Sequence, residues 1–434
     1  MKILVKIIIL IIIFSSSNLT KVFAQEKIKL GLLVPISGEF HDIGKSIIKS
    51  TLLAINKINN PSIEIIPKDT ESNPDITYIK AKELRDEGVK IVIGPVFNKN
   101  LIKLEELSDM IFLSLTNKII DNPKNIISTG INASSQLDTI VKFQKNNELK
   151  KTIFLIPNKN YKNEIKKAIK KSKINAFKIH YYDSDPTKLT KQIEKITKYR
   201  RRKQNVEDEI KRLEKSEDPN KEKKIKTFKV HYYDSDPTKL TKQIEKITKY
   251  PQRKQNVKDE IKRLEESEDP NKDKKIKILE KKDTLGKIGF DSLVIADFDE
   301  SLKSITTSLL YTDVSPKKTY FITLNQWFDV SLLKETSYQP IYYPSVNKEN
   351  YDEFINLYFK KFKEYPNQLS SLSYDIVGLV YYLIFQNNWI IDEKIFSKKN
   401  KFKGKVGIFE IKDKKINHVL NFYKIENSNI KKIF

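Results

Sequence analysis

The chain has 434 residues, of which 39% are hydrophobic, no cysteine and a formal net charge of +25. The lack of cysteine excludes disulfides, thiolate catalysis and thiolate metal sites. The positive charge would suit nucleic acid in a cytosolic protein, but its lysines spread over every predicted helix against a background rich in Ile, Asn and Lys, the compositional habit of an AT-rich genome. No nucleic-acid partner is therefore expected.

Residues 1–24 carry the three parts of an export signal: Lys2 and Lys6, an apolar run from Ile7 to Phe14, and the small-residue site Val22-Phe23-Ala24. That run is well short of the ~20 residues that span a bilayer, so cleavage rather than anchoring is expected. No later segment reads as apolar enough to cross a membrane. Without a lipobox cysteine, an N-terminal lipid anchor is not expected either. The remainder is long enough for two domains.

The first predicted unit opens with a strand at Ile28–Val34 that stops at Pro35 and turns through Ser37-Gly38 into a helix over Ile43–Ile58. A strand feeding a helix through a small-residue turn is the ligand-facing corner of an open α/β sheet, and its N–H groups favour an anionic ligand. A strand at Ile63–Pro67, a helix at Asp75–Glu87 and a strand at Val89–Ile93 follow. The turn Gly94-Pro95 comes next, then a helix at Leu101–Leu107 and a strand at Met110–Leu115. Such alternation predicts a mostly parallel sheet with helices on both faces.

A second unit begins near Ser135, with a helix at Gln136–Asn146, strands at Thr152–Ile156 and Phe177–Tyr182, and a helix at Lys162–Lys173. It resumes with strands at Asp291–Ala296 and Thr319–Leu324. In between, residues 177–227 recur as residues 228–278 with only seven differences, one recent tandem duplication. Each copy holds a strand (FKIHYYD or FKVHYYD), an Asp-Pro helix start, and a helix whose apolar stripe is Leu189, Ile193 and Ile196 or Leu240, Ile244 and Ile247. Beyond lies a charged stretch with a thin apolar seam (Val206, Ile210, Leu213), which predicts an exposed helical arm over residues 200–282. The short connection after the Lys162–Lys173 helix predicts that the first copy's strand joins the sheet and that the second copy lengthens the arm.

The C-terminal part predicts helices at Lys348–Phe362 and Ser371–Gln386. A hairpin follows, with Gly404–Ile411 and Val419–Ile425 joined by a turn over Asp413 to Ile416.

Chemistry-bearing motifs are few. His41, His180, His231 and His418 stand in no metal spacing, and no GxSxG, Walker loop or GxGxxG occurs. Asp297 and Asp299 could pass for a catalytic pair, but nothing accompanies them, so they read as cleft-lining or loop acids. Neither an enzyme nor a cofactor is expected. The predicted strand ends carry Ser37 and Gly38, Asn98, Ser114 and Thr116, Tyr161, Asp299, and Asn325. Ligands of open α/β sheets bind outside such ends, and hydroxyls, amides and an aromatic would make a small-molecule cleft.

With those turns placed, the chain from Lys27 onward resembles type I periplasmic binding proteins in LLVPISG, GVKIVIGPVFNKN, LSYDIVGLVYYL and FKGKVGIFEIKDKKINHVLNFYKI. Within that fold it is most similar to the penicillin-binding-protein activator (LppC-type) family. HYYDSDPTKLTKQIEKITKY, the charged insertion RKQNVKDEIKRLE, KKDTLGKIGFDSLVIADF and LLYTDVSPKKTYFITLNQW carry that likeness. The resemblance implies a periplasmic protein of two Rossmann-like α/β lobes. These would be residues 27–130 with 348–392, and residues 131–347 with 404–434, the second bearing the arm and three crossings making the hinge.

It implies as partner a peptidoglycan synthase (a penicillin-binding protein), or, if the chain is a solute receptor, an ABC transporter permease. Carried over from amino-acid receptors, Ser37, Asn98 and Thr116 fall on the ligand-carboxylate side, Tyr161 at an aromatic position, and Asp299 or Asn325 near the ammonium. Receptors carry an acid after the LNQW-type strand where this chain has Asn325-Gln326, and a buried ammonium without a carboxylate is costly.

Overall fold

The structure, a computed structural model, describes residues 27–118, 123–183, 212, 215, 239–280 and 288–434. The expected export signal, the first copy's helix and the second copy's strand lie outside these residues.

The first sheet has the order β2-β1-β3-β4-β5 and is parallel throughout. Its strands are β1 (Ile28–Val34), β2 (Ile63–Asp69), β3 (Ile91–Ile93), β4 (Ile111–Ser114) and β5 (Ile126–Ser128). The apolar run of β1 is buried almost without interruption, as a strand covered on both faces must be. Helices α1 (His41–Ile58) and α2 (Pro74–Asp86) flank it, α2 capped by the Asn73 side chain on the N–H groups of Asp75 and Ile76. The helix expected at Leu101–Leu107 is instead a pair of 3-10 turns, Asn98–Leu101 and Leu104–Glu106, separated by Lys103 at φ 69°. A left-handed residue there ends any continuous helix.

The second sheet has the order β15-β14-β10-β9-β8-β6-β7. Strands β6 (Thr152–Pro157), β7 (Ala176–Tyr182), β8 (Ser292–Ile295), β9 (Tyr320–Thr323) and β10 (Ile341–Ser345) run parallel. Helices α3 (Ala133–Asn146) and α4 (Lys162–Lys171) cover one face through Leu137, Ile140, Phe143, Ile165 and Ile169. β7 belongs to the first copy of the duplication and forms the edge of the sheet. The second copy does more than extend an arm. Its helix α5 (Lys239–Thr248) packs on β7 and on α8 (Asp299–Tyr311). From there α6 (Tyr250–Glu265) and α7 (Lys272–Glu280) pack on each other around Val257, Leu264 and Leu279, a cluster separate from the main core.

Helices α9 (Lys348–Phe362) and α10 (Gln368–Gln386) return to the first sheet, where α10 lies along α1. Hydroxyls line that contact: Ser46 to Ser370 at 2.7 Å, and Thr51 to Ser373 at 2.8 Å. Contrary to the sequence reading, α10 is long and apolar enough to cross a membrane by composition. It is apolar on several faces because it is enclosed by protein, with Asp375 buried in its middle.

The chain end also differs from the simple hairpin expected. β11 (Asn400–Lys403), β12 (Ile408–Lys412) and β13 (Lys415–His418) form a small antiparallel sheet, with a turn only at Asp413-Lys414. β14 (Asn421–Glu426) then leaves to pair antiparallel with β10, and β15 (Asn429–Lys432) adds outside it. The 404–407 turn is held by Asp375 of α10. Its carboxylate accepts the N–H groups of Lys405 (2.6 Å), Val406 (2.9 Å) and Gly407 (2.7 Å). A Cβ at Gly404 would come within 2.4 Å of that carboxyl carbon, so only glycine fits. The stretch 404–434 is thus shared between the α10 side and the second sheet.

Candidate functional site

The first corner is closed by the protein itself. Asp69, at the end of β2, accepts the N–H groups of Ile36 (2.8 Å), Ser37 (3.3 Å) and Glu71 (2.9 Å). Partial burial would raise its pKa, but the Ser37 hydroxyl and these three backbone donors outweigh that and hold the carboxyl below its ordinary value. The corner does favour an anion, and the chain supplies one internally. Gly44 is required here, since a Cβ would sit 1.7 Å from the Pro35 carbonyl oxygen.

Ser37 and Gly38 are exposed, as is Asn98. The two turns that carry them meet through the rings of Phe40 and Phe97, 4.8 Å apart, a contact that nothing in the sequence pattern singles out. Ser114 and Thr116 are buried. The Ser114 hydroxyl donates to the Pro95 carbonyl at 2.9 Å, and Thr116 Oγ1 accepts the Lys118 N–H at 3.3 Å.

On the second lobe, Tyr161 is half-buried, donates to the Ala296 carbonyl at 3.1 Å and meets Phe298 edge to face. Burial and the neighbouring Asp297 push its hydroxyl pKa up. Asp297 is fully buried and closed by Lys159 Nζ (2.7 Å) and the Tyr182 hydroxyl (2.7 Å). Asp299 is exposed at the first position of α8, at φ 51°. The two aspartates therefore face different surroundings and form no pair.

The space between the sheets is a cleft of about 280 Å³ at the carboxyl ends of β4, β8 and β9. Asp299 and Asn325, both singled out by sequence, line it. With them are Asn117, Gln136, Phe298, Gln326, Trp327, Asp329 and Gln368. Ser37, Gly38, Asn98, Ser114, Thr116 and Tyr161 do not. Among the described residues lining the cleft none is cationic, and most of the polar ones are engaged. Asn325 Oδ1 accepts the Trp327 N–H (3.0 Å) and the Ser345 hydroxyl (2.8 Å). Gln136 Oε1 accepts the Asn325 N–H at 2.7 Å, and Asp329 accepts both donors of Ser331 at 2.8 Å. Gln136 and Gln368 sit at helix starts, away from the strand ends. Among the described residues no cluster of His, Asp and Glu is placed to hold a metal ion.

Two open, mostly parallel sheets with a cleft between their carboxyl ends, joined by passages of the chain between them, match known structures over 94% of this chain. The fold is that of type I periplasmic binding proteins. At 14% identity and a TM-score of 0.51, the chain is similar to the branched-chain amino acid substrate-binding protein LivJ of Streptococcus pneumoniae, solved with isoleucine, 98% of which is covered. It is similar at 13% identity and TM-score 0.52 to the C-domain of LpoA from Haemophilus influenzae, a regulator of PBP1A, covered in full. A periplasmic ligand-binding protein of a branched-chain amino acid ABC transporter from Burkholderia xenovorans gives 11% identity, TM-score 0.58 and 95% coverage. The sequence model of the family described as periplasmic binding protein matches residues 27–196. No curated protein matches the chain. Structures with this fold thus include substrate-binding proteins of transporters and a regulator of PBP1A.

Proposed function

We propose that this chain is a non-catalytic, exported two-lobed protein that regulates peptidoglycan synthesis by protein contact, resembling penicillin-binding-protein activators. The observation that carries this reading is Asp69. At the corner where a receptor's free N–H groups would take a ligand carboxylate, this chain has its own carboxylate on the donors of Ile36, Ser37 and Glu71. A second carboxylate brought there would meet like charge and find the N–H groups of Ile36, Ser37 and Glu71 already taken. Among the described residues lining the cleft none is a cation that would compensate, and its size is at the low end for small-molecule sites.

The likeness to the LpoA C-domain and the charged helices α6 and α7 support the same reading, with a peptidoglycan synthase as the partner. The test is paired. Amino acids and small carboxylates at millimolar concentration are expected to leave the melting temperature unchanged, while a purified peptidoglycan synthase is retained on the immobilised protein. A ligand-dependent rise of several degrees without synthase binding would overturn the proposal. That result would favour the second reading, a receptor delivering a solute to an ABC transporter permease, for which the exposed Asp299 in the cleft is the supporting observation.

A further inference from the structure

The seat of α5 combines the two copies of the duplication in an unexpected way. The strand beside it, β7, comes from the first copy, while the helix comes from the second. The contacts that fix this helix are made by residues the first copy repeats unchanged. Ile244 is fully buried and Ile247 packs on the same core. Thr241 Oγ1 lies 3.2 Å from Ser308 Oγ. Just beyond, Arg253 donates to the carbonyls of Thr248 and Thr312 (3.3 Å each) and Asp313 (3.1 Å). The first copy carries Ile193, Ile196, Thr190 and Arg202 at the same places.

From residue 239 to residue 278 the copies differ only at Pro251, Gln252, Lys258, Glu266, Asp273 and Ile278, and all six are exposed. The buried face of the seated helix is therefore the same in both copies. What remains different is the length of the connections. Seating the other helix moves 51 residues from the entry side to the exit side, and closure cost grows only as the logarithm of loop length.

We infer that the seat between β7 and α8 accepts either helix, residues 188–197 or residues 239–248, so that the second lobe has two seatings of comparable population. They present different chemistry where the arm leaves the lobe: Pro251-Gln252 in one and Arg200-Arg201 in the other. This goes beyond the regulatory reading and does not depend on it.

The absence of native cysteine makes the test clean. Thr241→Cys with Ser308→Cys reports one seating, and Thr190→Cys with Ser308→Cys reports the other. After mild oxidation at high dilution, both double variants are expected to form an intramolecular disulfide, with yields within about tenfold of each other. A bridge from position 241 but none from position 190, or a 190 bridge found only in dimers, would overturn the inference. Stability supplies an independent check. Ile244→Asp alone is expected to lower the melting temperature little, because the other helix takes the seat, whereas Ile193→Asp with Ile244→Asp lowers it by many degrees. An Ile244→Asp protein as unstable as the double variant would also overturn it.

Discussion

Asp375 and His418 sit at the two attachments of the small β11–β13 sheet, and their protonation should pull stability in opposite directions. Burial pushes the Asp375 carboxyl up to about 7, although three backbone N–H groups point at it. From its ordinary value of 3.8 up to that point the folded chain keeps a proton that the unfolded chain has released. Its contribution therefore declines as pH rises through that window. His418 is buried on β13, with Nε2 2.8 Å from the Thr129 carbonyl, and burial lowers its pKa from 6.5 to about 4. Its contribution is complete above 6.5 and is lost as pH falls towards 4, because the unfolded chain protonates first.

Each slope is about 1.4 kcal/mol per pH unit, so between about pH 4 and 6.5 they nearly cancel. Single variants separate them. In His418→Gln the urea midpoint is expected to fall as pH rises from 4 to 7, and in Asp375→Asn it is expected to rise over the same range. Asp375→Asn should also cost about 1–3 kcal/mol at neutral pH, since an amide nitrogen cannot accept the N–H bonds it replaces. Flat profiles in both variants would show that neither group titrates as a buried one.

At the level of elements, α6 and α7 have their own apolar cluster of Val257, Leu264 and Leu279, joined by Ile261 and Ile276. By contrast α5 inserts Ile244 into the main core. Removing residues 200–282 as a block would therefore also remove the helix that fills the seat between β7 and α8. Replacing only residues 257–279 with a short Gly-Ser linker is expected to leave the melting temperature within a few degrees and to weaken retention of the synthase. Retention at full strength would place the contact surface elsewhere, and a collapse in melting temperature would show that the arm stabilises the lobe.

The same contrast shows what the sequence made legible. The bounds of β1 and α9 were readable because an unbroken apolar run and an aromatic stripe at helical spacing each admit one reading. α8, β5 and β10 were not. β5 has three residues, and β10 is IYYPS, an aromatic-Pro stretch without alternation. At the site, Asp299 and Asn325 were found because they end strands. Gln136 and Gln368 come from helix starts that only tertiary packing brings to the cleft. The role of Asp69 was hidden for the same reason, because the N–H groups it satisfies lie 33 and 32 residues away in sequence.

For the whole molecule the question is what joins the two sheets. The chain passes between them after β5, after β10 and between β13 and β14, and the third passage is braced to both others. Towards the first, His418 meets the Thr129 carbonyl, and Asn132 Nδ2 donates to the Ile416 carbonyl at 3.1 Å. Towards the second, the Tyr423 hydroxyl donates to the Val346 carbonyl (2.9 Å) and accepts the Lys348 N–H (2.8 Å). Any closing of the cleft must bend all three passages together, so these polar braces set how readily the lobes move.

Tyr423→Phe keeps the edge-to-face contact with Phe328 at 5.2 Å and removes only the hydroxyl. It leaves a carbonyl and an N–H without their partner, at a cost of about 1–3 kcal/mol. Local opening at the second passage should become easier by a similar amount. Amide exchange at residues 346–348 is expected to quicken by about tenfold or more, while exchange at residues 129–132 stays as it was, because the His418 and Asn132 contacts are separate. If both regions quicken together, the three passages behave as one cooperative hinge; if neither does, the phenol is not a brace, and the packing of Phe328, Tyr343 and Tyr423 alone holds the second passage.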